Sequence, residues 1–164
     1  PDVPDADVPT APGAAASGGA GTIRTAPRGR WTWPLDPTPR VVHGFDPPAQ
    51  RWLPGHRGVD LAIETDADVL AADDGVVVFA GVVAGKPALS IDHAGGLRST
   101  YEPVTAIVDT GMSVTRAQVV GTLASADGHC APAACLHWGA RRGKNYLDPL
   151  SLVGARPTIL LPLR

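Results

Sequence analysis

Leu89-Ser90-Ile91-Asp92-His93-Ala94-Gly95-Gly96-Leu97-Arg98-Ser99-Thr100-Tyr101-Glu102 consists of two short runs separated by a glycine turn. Leu89 and Ile91 alternate with Ser90 and Asp92, the period of a strand with one dry and one wet face. Ala94-Gly95-Gly96 supplies the backbone freedom that a hairpin connection requires. The stretch predicts an antiparallel hairpin. Outward from it, short segments rich in Val, Ile, Leu or Thr and bounded by turn residues predict strands at 40–45, 58–63, 75–83, 87–93, 97–102, 118–124 and 134–140. No alternation of strand and helix patterns points to a parallel sheet. The expected class is all-β, a compact antiparallel sheet or β-sandwich with short loops.

Composition agrees and excludes other classes. The 164 residues include 19 Gly and 17 Pro, and aromatics make up only 5%, which disfavours a helical bundle. Fourteen basic against 16 acidic side chains give a formal charge of −2, which argues against a nucleic-acid binder or an anionic-membrane binder. No apolar run reaches the roughly 18 residues of a membrane-spanning helix. Pro1 to Asp7 has neither the basic start nor the apolar segment of a signal peptide. Residues 1–30 are rich in Pro, Ala, Gly, Ser and Thr without hydrophobic period, and read as a flexible tether. Residues 31–153 read as the β-domain and 154–164 as a C-terminal tail.

Two cysteines, Cys130 and Cys135, flank a short turn-forming segment around Pro132. An oxidising compartment would join them, whereas a reducing one would leave free thiols or a metal clip. Joined, they are expected to stabilise the loop by about 2 kcal/mol. Of the five histidines, His56 and His137 stand out by context. His56-Arg-Gly-Val-Asp60 puts an imidazole and a carboxylate four apart at a strand entry, with Gly58 between them to let the backbone bend. His137 lies in a second strand-like run, Cys135-Leu-His-Trp-Gly139. Two nitrogens and a carboxylate oxygen would fill three corners of a tetrahedral zinc site and leave the fourth open.

Read in order, Trp33-Pro-Leu, Val42-His-Gly-Phe, His56-Arg-Gly-Val-Asp60, the run from Leu70 to Gly81, the run from Ile91 to Leu97, Gln118-Val-Val-Gly-Thr122 and Leu136-His-Trp-Gly139 resemble the M23 (LytM, lysostaphin-like) peptidases. Those enzymes cut peptide cross-links in bacterial cell walls. The resemblance implies a compact M23-type β-core, Zn2+ as cofactor, and His56, Asp60 and His137 as its ligands. It also implies an extracytoplasmic location and, as partners, peptidoglycan stem peptides or another wall hydrolase, with the domain acting as a monomer.

The departures from the pattern weigh on activity. The family's two catalytic histidines fall at positions that hold Cys135 and Pro103 here. Peptide hydrolysis needs a group to take the water's proton and protonate the leaving amine, help worth about 10²–10⁴ in rate. The resemblance therefore implies a retained zinc site with weak or no endopeptidase activity. Glu102, beside the missing histidine, is a substitute base, although strand alternation is expected to turn it away. His129 is a second substitute if its loop folds toward the metal. An active enzyme with such a base and a metal-free regulator of another hydrolase are the alternative functions. A lipoyl-carrier or biotinyl-carrier reading fails because neither Lys86 nor Lys144 has the expected hairpin setting. His43 and His93 are expected on strand or turn surfaces, and Trp31, Trp33 and Trp52 as packing or loop anchors. Trp138 should brace the site from the opposite face, and Asp73-Asp74 should form a turn.

Overall fold

The strand-forming segments close into two antiparallel sheets. The computed structural model describes residues 31–125, 130 and 133–154. Residues 1–30, expected as a tether, His129, and residues 155–164 of the expected tail lie outside the described residues. The strands are β1 (Val41–His43), β2 (Gly58–Ala62), β3 (Asp68–Leu70), β4 (Gly75–Val83), β5 (Lys86–His93), β6 (Leu97–Glu102), β7 (Val104–Ala106), β8 (Ser113–Val114), β9 (Val119–Leu123), β10 (Cys135–Arg142) and β11 (Asn145–Leu147), followed by the short helix α1 (Pro149–Leu152). The large sheet has the order β1-β2-β10-β6-β5-β4-β8, with β11 pairing with β10, and the small one is β3-β9-β7. All pairings among these strands are antiparallel. The all-β expectation holds.

Period-2 alternation sorts the side chains of the large sheet into two faces. On β10, Leu136, Trp138 and Ala140 are buried in the core, whereas His137 is only partly covered. On β6, Leu97, Ser99 and Tyr101 are buried, with Arg98, Thr100 and Glu102 less so. β2 is buried on both faces: Val59 and Leu61 enter the apolar core, and Asp60 is buried at 1% exposure on the other side. Trp138 stacks with Trp31 and Trp33 at centroid distances of 5.7 and 6.2 Å. The bracing role expected of Trp138 is present. Buried Tyr101 accepts a hydrogen bond at its hydroxyl from the Ala72 N–H at 2.9 Å, and burial pushes the phenol up to about 12. Asp73 and Asp74 form the expected turn, which Arg116 joins through its backbone N–H to Asp74 and its guanidinium to Asp73.

Hairpin β5–β6 has the expected turn, with Gly95 and Gly96 both at positive φ. β4 and β6 match the predicted strands at 75–83 and 97–102. Short β3, β7, β8 and β11 were not expected, because two or three residues carry too little alternation to be distinguished from a loop. Their partners define them. The Trp31 N–H donates to the Leu152 carbonyl at 2.8 Å, which joins the segment before β1 to helix α1.

Two expectations are corrected, Trp52 as a packing anchor and His93 as a surface residue. Trp52 packs against nothing that hides it, being 79% exposed on the loop between β1 and β2. His93 is buried at 8% exposure, with Nδ1 donating to the Asp74 carbonyl at 2.8 Å, Nε2 2.6 Å from Ser99 Oγ, and its ring against Trp31. Its place at a strand end beside a turn suggested exposure, but Ser99 and Trp31 come from elements that the turn does not reveal.

Burial lowers the His93 pKa below its ordinary 6.5. The unfolded chain therefore takes up a proton more readily than the folded one. This contribution to stability is complete above the ordinary value and declines as pH falls through it toward the lowered folded value. In chelator-treated protein, the stability of wild type is expected to fall between about pH 7 and 5 more steeply than that of His93→Gln, by at most about 1.4 kcal/mol per pH unit. Urea midpoints across that range measure it, and parallel slopes would refute the assignment.

Candidate metal centre

One cross-strand row of the large sheet carries the polar site. His43 on β1 is paired with Asp60 on β2, Asp60 with His137 on β10, and His137 with Glu102 on β6. Residues directly opposite in antiparallel strands project to the same face. Four chemistry-bearing side chains therefore share one face of four adjacent strands, although they lie up to 94 residues apart in sequence. His56 joins them from the segment entering β2, where Asp46 and His56 form an isolated antiparallel bridge.

Asp60 is the centre of the row. Its Oδ1 is 2.9 Å from His137 Nδ1 and 3.2 Å from His56 Nε2, and its Oδ2 is 3.3 Å from His43 Nδ1. The side chains of His56 and His137 are 18% and 29% exposed, and that of His43 is 60% exposed. His56 and His137 pack edge to face with centroids 5.0 Å apart. Ligand atoms of His56, Asp60 and His137 all lie within 4.8 Å of one another. The three residues expected from the sequence converge.

The donor set fits a cation. His56 Nδ1 is 2.7 Å from the Gly44 carbonyl oxygen, so this nitrogen carries the ring proton. Its Nε2 then faces the Asp60 carboxylate at 3.2 Å, which puts a nitrogen donor and a carboxylate oxygen side by side as a cation's ligands would be. The carbonyl behind the imidazole fixes the tautomer that a metal ligand needs. A cleft of roughly 570 Å³ lined by His43, Gly44, Phe45, Asp46, His56 and Asp60 opens the centre to solvent.

Gly58 has a different function from the expected one. An ideal Cβ at this position would lie 2.5 Å from the Trp138 carbonyl oxygen and 2.9 Å from His137 Nε2. Its φ is not in the left-handed region, so room for the neighbouring strand and imidazole, rather than a bend, requires glycine here.

Glu102 is also placed differently from expectation. Strand alternation turns it toward the His137 face, because the two are direct cross-strand partners. Its Oε1 is 3.8 Å from Lys86 Nζ. Pro103 follows as the first residue beyond β6. Cys135, two residues before His137 on the same face, is joined to Cys130 in a disulfide, so its sulfur is not a free nucleophile.

Sequence reasoning left His43 out of the site. Its only signal was that an imidazole in a predicted strand could lie opposite an acidic residue of another strand. Strand order, which a local pattern does not contain, was needed to use that signal.

The model of Peptidase family M23 matches residues 54–149. Protein Rv2891 of Mycobacterium tuberculosis is 50% identical over 138 residues, covering 82% of this chain and 55% of that protein. The chain thus spans about half the length of this curated relative. The DD-carboxypeptidase/endopeptidase Mpg of Neisseria meningitidis is 30% identical over 105 residues, covering 63% of this chain and 24% of that protein. In fold, the catalytic domain of lysostaphin from Staphylococcus simulans superposes with a TM-score of 0.61 at 22% identity, covering 71% of this chain and 92% of that one. With a family match over more than half of its length and an antiparallel β-core of the same type, the chain belongs to peptidase family M23.

Proposed function

We propose that this is an extracytoplasmic, cell-wall-directed M23 domain that holds zinc between His56, Asp60 and His137 and hydrolyses peptidoglycan cross-link peptides weakly or not at all. The observation that carries the reading is the convergence of those three donors around one buried carboxylate. Two imidazoles and one carboxylate with an open cleft match a zinc site that keeps a position for water or substrate. The Cys130–Cys135 disulfide supports a location outside the reducing cytoplasm.

Bound there, zinc would supply a Lewis acid and lower the pKa of its water to about 7. The chain's own residues perform the remaining tasks. The Gly44 carbonyl holds the His56 ring in one tautomer, and Asp60 offsets the cation's charge. Two positions where the family carries proton-handling imidazoles hold Cys135, whose sulfur is in a disulfide, and Pro103, which has no ionisable group. Neither moves a proton, and this underlies the weak or absent turnover.

One placement favours a second reading, an active endopeptidase that uses Glu102 as base. Glu102 shares the His137 face and is its cross-strand neighbour, within reach of the row. Zinc analysis of the purified chain, together with turnover of cross-linked wall peptides by wild type, His56→Ala and Glu102→Gln, separates the two. We expect one zinc per chain, lost in His56→Ala, and turnover at least about 10²-fold below that of an M23 enzyme carrying both histidines. Fast turnover that disappears in Glu102→Gln as well as in His56→Ala would establish the active reading. Absence of zinc at micromolar concentration would remove the metal reading and favour the regulator.

A further inference from the structure

We propose that reducing the Cys130–Cys135 disulfide creates a second metal site, formed by His43, Asp60 and Cys130, which shares the Asp60 carboxylate with the first. Three observations converge on it. A ligand atom from each of His43, Asp60 and Cys130 lies within 4.8 Å of the other two. The two Asp60 oxygens are divided, Oδ1 toward His56 and His137 and Oδ2 toward His43, an orientation in which one carboxylate bridges two ions. His43 is 60% exposed on the cleft wall, so an ion reaches it from solvent.

The disulfide controls the third donor. Cys135 is opposite Ala62 on β2, two residues along from the Asp60–His137 pair, and its bond to Cys130 holds the Cys130 sulfur beside the row. In the disulfide this sulfur is a poor ligand. As a thiolate it is a strong one for zinc and similar ions, and imidazole, carboxylate and thiolate together suit zinc or cobalt.

The reductant is a dithiol. Its two S–H bonds give two electrons and two protons to the cystine, the Cys130–Cys135 bond breaks, and a disulfide forms in the reductant. Cys130 then releases its thiol proton to solvent as the ion binds. The first site binds through His56 and His137, which the second does not use, so the two can fail separately although both depend on Asp60.

The test is a Co2+ titration of the full chain, followed by calorimetry and by the sulfur-to-cobalt charge-transfer band in the near ultraviolet. Oxidised wild type is expected to bind one equivalent without the band. Wild type reduced with a dithiol and then freed of it by gel filtration without air, and Cys135→Ser without reductant, are expected to bind a second equivalent and show the band. Adding His43→Ala to Cys135→Ser should weaken the second equivalent on the order of a hundredfold and leave the first in place. Two routes to the free Cys130 thiol guard against one failing to fold, and retention of the first equivalent reports that the sheet is intact. A reduced chain or Cys135→Ser that binds one equivalent without the band overturns the proposal. Loss of the first equivalent in both forms overturns it too, as does a band unaffected by His43→Ala.

Discussion

Gly58→Ala is expected to destabilise the fold by about 3 kcal/mol and to weaken zinc binding at least about tenfold. The new methyl group would meet the Trp138 carbonyl at 2.5 Å and the His137 ring at 2.9 to 3.0 Å. The carbonyl belongs to the backbone of β10, which is held on one side by β2 and on the other by β6, so it has nowhere to retreat. Trp138 extends into the core from the same residue, at 0% exposure against Trp31 and Trp33. Any shift of β10 that relieves the clash therefore disturbs core packing. The alternative relief is rotation of the His137 ring, which moves Nδ1 away from Asp60. Overpacking of a dense interior costs about 1–3 kcal/mol, and a backbone contact lies at the upper end of that range. Chemical denaturation with and without zinc resolves the two effects. A variant with unchanged midpoint and unchanged affinity would mean that the sheet opens at this point more easily than its register implies.

The sequence revealed the elements of the fold more readily than their neighbours. β4 and β6 were recognisable because nine-residue and six-residue runs between turns contain several alternations, and the β5–β6 turn because two consecutive glycines mark it. His56 and Asp60 were legible because they lie four apart in one motif and act together. His137 became legible through its likeness to a family motif, since local pattern gives no distance between residues 60 and 137. His43 and Glu102 belong to the same row, but their place depends on β1 lying beside β2 and β6 beside β10, an order imposed by long-range pairing. The burial of His93 had the same origin, because Trp31 reaches it from a segment more than 60 residues earlier. Local pattern predicts which residues alternate, and topology then decides which alternating faces meet.

Asp60→Asn is expected to lower zinc affinity on the order of 10²–10³-fold while leaving the stability of the metal-free chain within about 1 kcal/mol of wild type or raising it. The affinity part follows from ligand number. Structural zinc sites with four protein ligands release about 10–16 kcal/mol on binding, so loss of one ligand removes roughly a quarter of that order. Asparagine keeps the shape and can turn its oxygen to the same place, but it brings no charge to offset the cation. The stability part follows from burial. Asp60 is 1% exposed, and a carboxylate withdrawn from water is costly unless cations face it. Three imidazoles face it here, and the His137 Nδ1 contact at 2.9 Å offsets part of that cost. Replacing the charge with an amide removes the desolvation penalty together with the attraction, so the two largely cancel in the apo protein. With zinc present the cancellation ends, and wild type alone gains thermal stability. Melting curves with chelator and with saturating zinc give the comparison directly. If Asp60→Asn lost stability in chelator as severely as in zinc, the carboxylate would be a structural part of the sheet and the assignment of Asp60 as a metal ligand would fall.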